Sequence, residues 1–190
     1  LRQLEKRKYK LSMDLNNRVV MVTGAAMGIG RGIALAFGDQ KSTVVLVDID
    51  EENLQNVAAE VEEAGGRALV VQCDVSKIEE VKDLYSGVKE KYGKVDVLVN
   101  NAGIYPFKAF LEMQEEDWDR VMSVNLKSAF LMCKEALPLF SEGGSIVNIS
   151  SIASQIAFAG LAHYSASKGG INAFTRGLAL ELASSNIRVN

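Results

Sequence analysis

The chain has 190 residues, 48% of them hydrophobic and 24% charged, with a formal net charge of −3. That length suffices for one domain with a real core and is short for two. The small charge gives no reason to expect a nucleic acid or an anionic membrane as partner, and no apolar run approaches the roughly 18 residues a membrane-spanning helix needs. One histidine and the separated Cys73 and Cys133 offer no metal-ligand spacing. Both cysteines fall in apolar segments, which suits buried thiols in a reducing, cytoplasmic compartment.

Residues 1–13, carrying Arg2, Lys6, Arg7, Lys8 and Lys10, read as a basic, poorly ordered and non-catalytic tail. An expression remnant, a trimmed targeting segment or a frayed arm would each account for it. Residues 14–190 read as one α/β domain, a doubly wound parallel sheet of Rossmann type. Short β-rich runs alternate there with longer helical patterns, as βαβ units require.

The predicted strands are Arg18–Thr23, Thr43–Asp48, Ala68–Gln72, Val95–Asn100 and Ser145–Ser150, with a sixth opening at Ile187. Their apolar residues run almost without interruption, the pattern of strands covered on both faces. The predicted helices are Ile29–Phe37, Glu51–Ala64, Ile78–Tyr92, Glu115–Phe140 and Ala162–Ser184. Glu51 and Glu52 favour a helix start, Gly65-Gly66 a helix stop, and Pro138 should end or kink the long fourth helix. No repeat, linker or low-complexity tract interrupts the pattern.

Polar residues collect where the strands end. Gly24 follows the first strand, Asp48 closes the second, Asp74 follows the third, Asn100–Gly103 close the fourth and Ser151 follows the fifth. Ligands of doubly wound sheets bind outside those carboxyl ends. The turn Gly24-x-x-x-Gly28-x-Gly30, which includes Met27 and Ile29, is a variant dinucleotide fingerprint. Glycine there lets backbone N–H groups at a helix N-terminus approach a pyrophosphate. Asp48 stands where an acid accepts hydrogen bonds from a ribose and would repel a 2′-phosphate, so the sequence predicts NAD over NADP.

Tyr164 and Lys168 stand four residues apart in a predicted helix, hence on one face. A free phenol, with a pKa near 10, is a poor proton carrier at neutral pH. An ammonium about 4 Å away is worth roughly 4 kcal/mol at an effective dielectric of 20, which favours the phenolate. Such a tyrosine is a candidate general acid–base. Alone, the pair is also what two neighbours on a solvated helix face look like.

Three further stretches decide between these readings: Thr23-Gly24-Ala25-Ala26-Met27-Gly28-Ile29-Gly30, Asn100-Asn101-Ala102-Gly103 and Gly144-Ser145-Ile146-Val147-Asn148-Ile149-Ser150-Ser151. With Tyr164-Ser165-Ala166-Ser167-Lys168 they resemble, in order and spacing along nearly the whole chain, the short-chain dehydrogenase/reductase family. The resemblance implies a hydride-transferring oxidoreductase in which Asn125, Ser151, Tyr164 and Lys168 act together. Tyr164 would exchange the proton, Lys168 assist it and bind the nicotinamide ribose, and Ser151 (by family spacing, ahead of Ser150) hold the substrate oxygen. Asn125 would stabilise a water near Lys168.

The resemblance also places Asp74 and Val75 at the adenine and Asn101, Ala102 and Gly103 along the ribose and pyrophosphate. Asn100 would support the central sheet. Met27 and Ile49 are apolar where NADP-preferring members often carry a basic side chain. The sole histidine, His163, has no triad-like partner and reads as a pocket or loop residue. Tyr105, Pro106 and Phe107, with Gln155, Ile156, Phe158 and Leu161, suggest a mainly apolar substrate pocket.

The expected substrate is a secondary alcohol or ketone, and the preference for NAD favours a catabolic alcohol, polyol or hydroxysteroid-like dehydrogenase. The runner-up is a 3-oxoacyl thioester, and a non-catalytic dinucleotide sensor is the alternative of another class. Family members pair helices equivalent to the last two predicted here, so a homodimer or homotetramer is expected. They also continue well past Asn190, which implies that the chain is incomplete.

Overall fold

The computed structural model describes residues 15–190, so the expected tail over residues 1–13 lies outside the described residues. Six strands form one parallel sheet: β1 (Val19–Thr23), β2 (Thr43–Asp48), β3 (Arg67–Gln72), β4 (Val95–Asn100), β5 (Phe140–Asn148) and β6 (Arg188–Val189). Their order across the sheet is β3-β2-β1-β4-β5-β6. The helices are α1 (Gly28–Asp39), α2 (Glu51–Glu63), α3 (Ile78–Tyr92), α4 (Glu115–Met122), α5 (Ser128–Ala136) and α6 (Ala162–Leu182). Strand order reverses between β1 and β4, and a crevice opens at such a switch point.

Alternation along each strand divides the core into two. Val20, Val22, Val44, Leu46, Val97 and Val99 face one way, packed with Ala34 of α1 and Leu54, Val57 and Val61 of α2. Met21, Val45, Val47, Leu98 and Ile146 face the other, packed with Val81, Leu84 and Val88 of α3 and Leu131 and Met132 of α5. Burial on both faces is the physical reason the strand sequences are continuously apolar. Leu54 and Asp50 together seat α2, whose N-cap Asp50 accepts from Asn53 N–H at 3.1 Å.

Most element bounds agree with the sequence to within one or two residues, and two expectations need correction. The single helix expected over Glu115–Phe140 is broken into α4, a π-helical turn at Ser123–Lys127, α5 and a 3-10 turn at Leu137–Leu139. Pro138 sits inside that last turn and ends the helix as expected; nothing in the local periodicity marks the π turn. The fifth strand begins at Phe140 rather than Ser145 and ends at Asn148 rather than Ser150. Phe140 pairs with Val95 and Ser145 with Val97, so a bulge lies between. Gly144 permits it, because a Cβ there would strike the Phe140 ring.

Leu98 lies at the centre of β4 and is fully buried. Leu98→Ala is expected to cost about 2–5 kcal/mol, read as a lower urea midpoint with an unchanged slope.

Candidate active site

The crevice begins at the β1–α1 turn. Gly24 adopts φ +65° and Gly28 φ +56°, left-handed conformations that other residues rarely tolerate. The glycines divide the work. A Cβ on Gly24 would lie 2.8 Å from Asn101 Nδ2 and 2.9 Å from Ala102 Cα, and one on Gly30 would strike the Gly24 carbonyl. Those two let the turn pack against the end of β4. Only Gly28 faces open space, with nothing within 4 Å of an added Cβ. Met27, the N-cap of α1, makes no side-chain cap, which leaves the first N–H groups of that helix to an anion.

Thr23 and Asn101 close the switch point. Thr23 Oγ1 accepts from the N–H groups of Asn101 and Ala102, both at 3.0 Å. Asn101 Nδ2 donates to the carbonyls of Thr23 at 2.9 Å and Gly24 at 3.1 Å. Both Nδ2 hydrogens of Asn101 thereby brace the glycine turn. Thr23 carries no chemistry-bearing motif of its own, and only its place at a strand end hinted at the role.

Asp48, half-buried at the end of β2, is gripped by backbone. Its Oδ2 accepts from Ala26 N–H at 3.1 Å, and its Oδ1 from Ile49 N–H at 2.8 Å and Asp50 N–H at 3.3 Å. Met27, Ile29 and Ile49 beside it are all exposed. Arg31, one residue beyond Gly30, pairs with Glu60 on α2. Asp74 Oδ1 accepts from the Ser76 amide at 3.0 Å and hydroxyl at 2.6 Å, closing a turn ahead of α3. Partial burial opposes ionisation of this carboxyl, but those hydrogen bonds and the Lys77 ammonium outweigh it and hold it below the usual range. The Val75 side chain points into the core, so only its backbone can face a ligand.

The remaining residues meet where β4, β5 and α6 converge. Lys168 is buried and donates from Nζ to the Ile149 carbonyl at 2.7 Å. Burial lowers its amine to about 8. Its Nζ lies 5.9 Å from the centre of the Tyr164 ring, one helical turn away. Tyr164 is half-buried, and its ring meets that of Tyr105 at 6.2 Å and 59°. Ser150 turns away, donating to the Lys168 carbonyl at 3.3 Å. Ser151 Oγ accepts from Ala153 N–H at 3.1 Å, and no acceptor takes its own hydrogen among the described residues.

Asn125, expected to stabilise a water near Lys168, is almost wholly buried. It lies in the π turn, and its amide clamps the backbone of Ile104. Oδ1 accepts from Ile104 N–H and Nδ2 donates to Ile104 C=O, both at 2.8 Å, while Nδ2 also reaches Ser167 Oγ at 3.1 Å. Both Nδ2 hydrogens are thus engaged by protein. Gly103 allows the approach: a Cβ there would sit 3.2 Å from Asn125 Oδ1 and 3.6 Å from Lys168 Nζ. His163, expected in a pocket or loop, is fully buried in the first turn of α6, and neither ring nitrogen has a hydrogen-bond partner among the described residues. Ser167, Ile104 and Ile149 escaped the sequence reading because two of them act through backbone atoms alone.

Residues 18–190 match the short chain dehydrogenase family model, and the protein belongs to that family. It is 41% identical over 177 residues to a 3beta-hydroxysteroid dehydrogenase of Mediterraneibacter gnavus, covering 92% of this chain and 64% of that one. Identity is also 41% over 180 residues to a 3-oxoacyl-(acyl-carrier-protein) reductase of Thermotoga maritima, covering 94% and 73%. A crystal structure of NAD⁺-bound xylitol dehydrogenase superposes with a TM-score of 0.88 at 35% identity, covering 94% and 70%. The chain thus spans about two thirds of its relatives' length. Among the described residues no helix is long and apolar enough to cross a membrane.

Lys168 gives a measurable linkage. Its folded-state value of about 8 lies below the ordinary 10.5, so between these pH values the unfolded chain binds more protons than the native one. Stability relative to Lys168→Met should therefore rise as pH climbs from about 8 towards 10.5, and lie lowest below about 8. Urea midpoints of both proteins across pH 7–10 check the sign.

Proposed function

We propose that the protein is an NAD(H)-dependent oxidoreductase that interconverts a secondary alcohol and a ketone, with Tyr164 as the acid–base group. The observation that carries this reading is the convergence of Tyr164, Lys168 and Ser151 at the carboxyl ends of the strands, the end of the sheet from which the uncapped N-terminus of α1 also starts. Gly28, with open space where a side chain would stand, and the backbone-held Asp48 carboxylate fit the pyrophosphate and adenosine ribose of a dinucleotide. A bound nicotinamide supplies the hydride acceptor or donor.

In the oxidative direction Ser151 donates its free hydrogen to the substrate oxygen and positions it. Tyr164, as phenolate, takes the hydroxyl proton while the carbinol C–H leaves as hydride. The Lys168 ammonium, fixed by the Ile149 carbonyl 5.9 Å from the centre of the Tyr164 ring, is the positive charge that favours the phenolate. Asn125 contributes at one remove, holding the Ile104 backbone and Ser167 so that the loop after β4 keeps its shape. Reduction runs the same steps backwards.

Support for NAD over NADP comes from charge. Three backbone N–H groups hold the Asp48 carboxylate in place, Met27 and Ile49 offer no cation, and Arg31 is engaged by Glu60. A 2′-phosphate would meet a fixed negative charge without a counter-ion. Titration should give at least about tenfold tighter binding of NAD than of NADP, with Asp48→Ala narrowing the gap.

The groove of about 700 Å³ between α4–α5 and α6, lined by Met122, Leu126, Phe130, Gly170 and Phe174, supports a homo-oligomer. Sedimentation should show a dimer or tetramer, and Phe130→Glu should shift it towards monomer. A cytoplasmic location is part of the same reading.

Tyr164→Phe tests the whole reading. Turnover of alcohols should fall by at least about 10²-fold while NAD binding stays nearly intact. Wild-type turnover in that variant would remove Tyr164 from the chemistry. Binding of NAD with no turnover in the parent protein would favour the sensor.

A further inference from the structure

Resting on the alcohol–ketone reading, we infer that Asn172, acting through Ser154, is a positioning residue that holds the Ser151 hydroxyl in place relative to Tyr164. Ser151 opens a 3-10 turn, Ile152–Ser154. Its carbonyl accepts from the Ser154 amide at 3.0 Å and from the Ser154 hydroxyl at 2.7 Å. Its own Oγ accepts from Ala153 N–H at 3.1 Å. The turn therefore sets both the backbone and the side-chain rotamer of Ser151, and the hydroxyl goes where the turn goes. Ile152 and Gln155 are exposed, and only Ala153 is buried. Bonds within the turn give it a shape but not a location.

The location comes from α6. Asn172 Nδ2 donates to Ser154 Oγ at 2.8 Å, which among the described residues is the one hydrogen bond from the turn to another element. On the other side of Ser151, Ser150 Oγ donates to the Lys168 carbonyl at 3.3 Å. Ser151 is thus strung between two ties to the same helix. Tyr164, Lys168 and Asn172 follow at intervals of four residues, so they lie along one face of α6. The residue proposed to carry the proton and both ties that locate the hydroxyl belong to one rigid element. Residue chemistry fits this role. The Ser154 hydroxyl accepts from Asn172 and donates to the Ser151 carbonyl at once. Asparagine is a weak helix former, and inside α6 its half-buried amide serves a neighbouring turn. Neither side chain has to touch the substrate. Misplacing a group that holds a reacting oxygen by about 1 Å can cost on the order of 10²-fold in rate.

The test follows NADH formation from NAD⁺ with 2-butanol, cyclohexanol and xylitol, and continues with whichever the parent protein oxidises fastest. Asn172→Leu and Ser154→Ala should each lower kcat by roughly tenfold, with the NAD dissociation constant and the urea midpoint close to the parent's. The double variant should fall no further than either alone, because both changes break one chain of bonds. Ser154→Thr keeps the hydroxyl and should restore most of the rate. The pH at which kcat is half-maximal should stay at the parent's value, since Tyr164 and Lys168 are not displaced. Parent-like kcat in the single variants overturns the inference, and so does an additive loss in the double variant. A shifted pH profile also overturns it, by showing that the bonds act on Tyr164 and Lys168 instead of Ser151. If Asn172→Leu does not fold, Ser154→Ala, which removes a single oxygen, decides alone. No turnover of any of the three alcohols by the parent with NAD bound overturns the oxidoreductase reading itself, and the inference falls with it.

Discussion

The contact between the Lys168 amine and the Ile149 carbonyl organises this molecule's chemistry. A buried ammonium is costly to desolvate, and the short hydrogen bond to a carbonyl at the end of β5 offsets part of that cost. The bond ties α6 to the sheet at one point. From it, Tyr164 stands one helical turn back along α6, and Ser151 two residues on from Ile149. The groups proposed to act on one oxygen are thereby referred to a single anchor. Ser150 strengthens the same joint from the other side through the Lys168 carbonyl, which leaves Ser151 as the hydroxyl available to a substrate.

The cofactor side depends on a second joint, between β1 and β4. The two strands pair in parallel from Val20 opposite Val97 to Val22 opposite Val99. Beyond that pairing Thr23 and Asn101 lock the chain ends together. Gly24 and Gly30 are small because Asn101 and Ala102 press against them, and this pressure sets the path of the turn that exposes Gly28. Specificity for a dinucleotide is thus built partly from contacts that no dinucleotide touches.

The π turn at Ser123–Lys127 shows a local irregularity put to use. An uninterrupted α-helix would carry Asn125 on a different azimuth, and its amide would miss Ile104. The extra residue in the turn rotates it inward, where it is almost wholly buried, and π turns concentrate at functional sites for this reason. His163 contrasts with it, for among the described residues its two buried nitrogens find no partner, while the neighbouring Tyr164 ring is half-buried beside Tyr105. The histidine occupies space within the packing of α6, and Tyr164 is the residue proposed to carry the proton.

By itself the sequence determined the alternation of strands and helices, most of their bounds, and the placing of Gly24, Asp48, Asp74, Asn101 and Ser151 at the carboxyl ends of the strands. Those properties follow from apolar periodicity and from where strands must stop, both of which are local. Tertiary structure alone decided that Asn125 grips the Ile104 backbone, that Thr23 joins two strands, and that β5 carries a bulge. Each of these depends on which backbone carbonyl or amide lies within 3 Å of a side chain. Residues far apart along the chain set that distance, and one-dimensional periodicity does not record it.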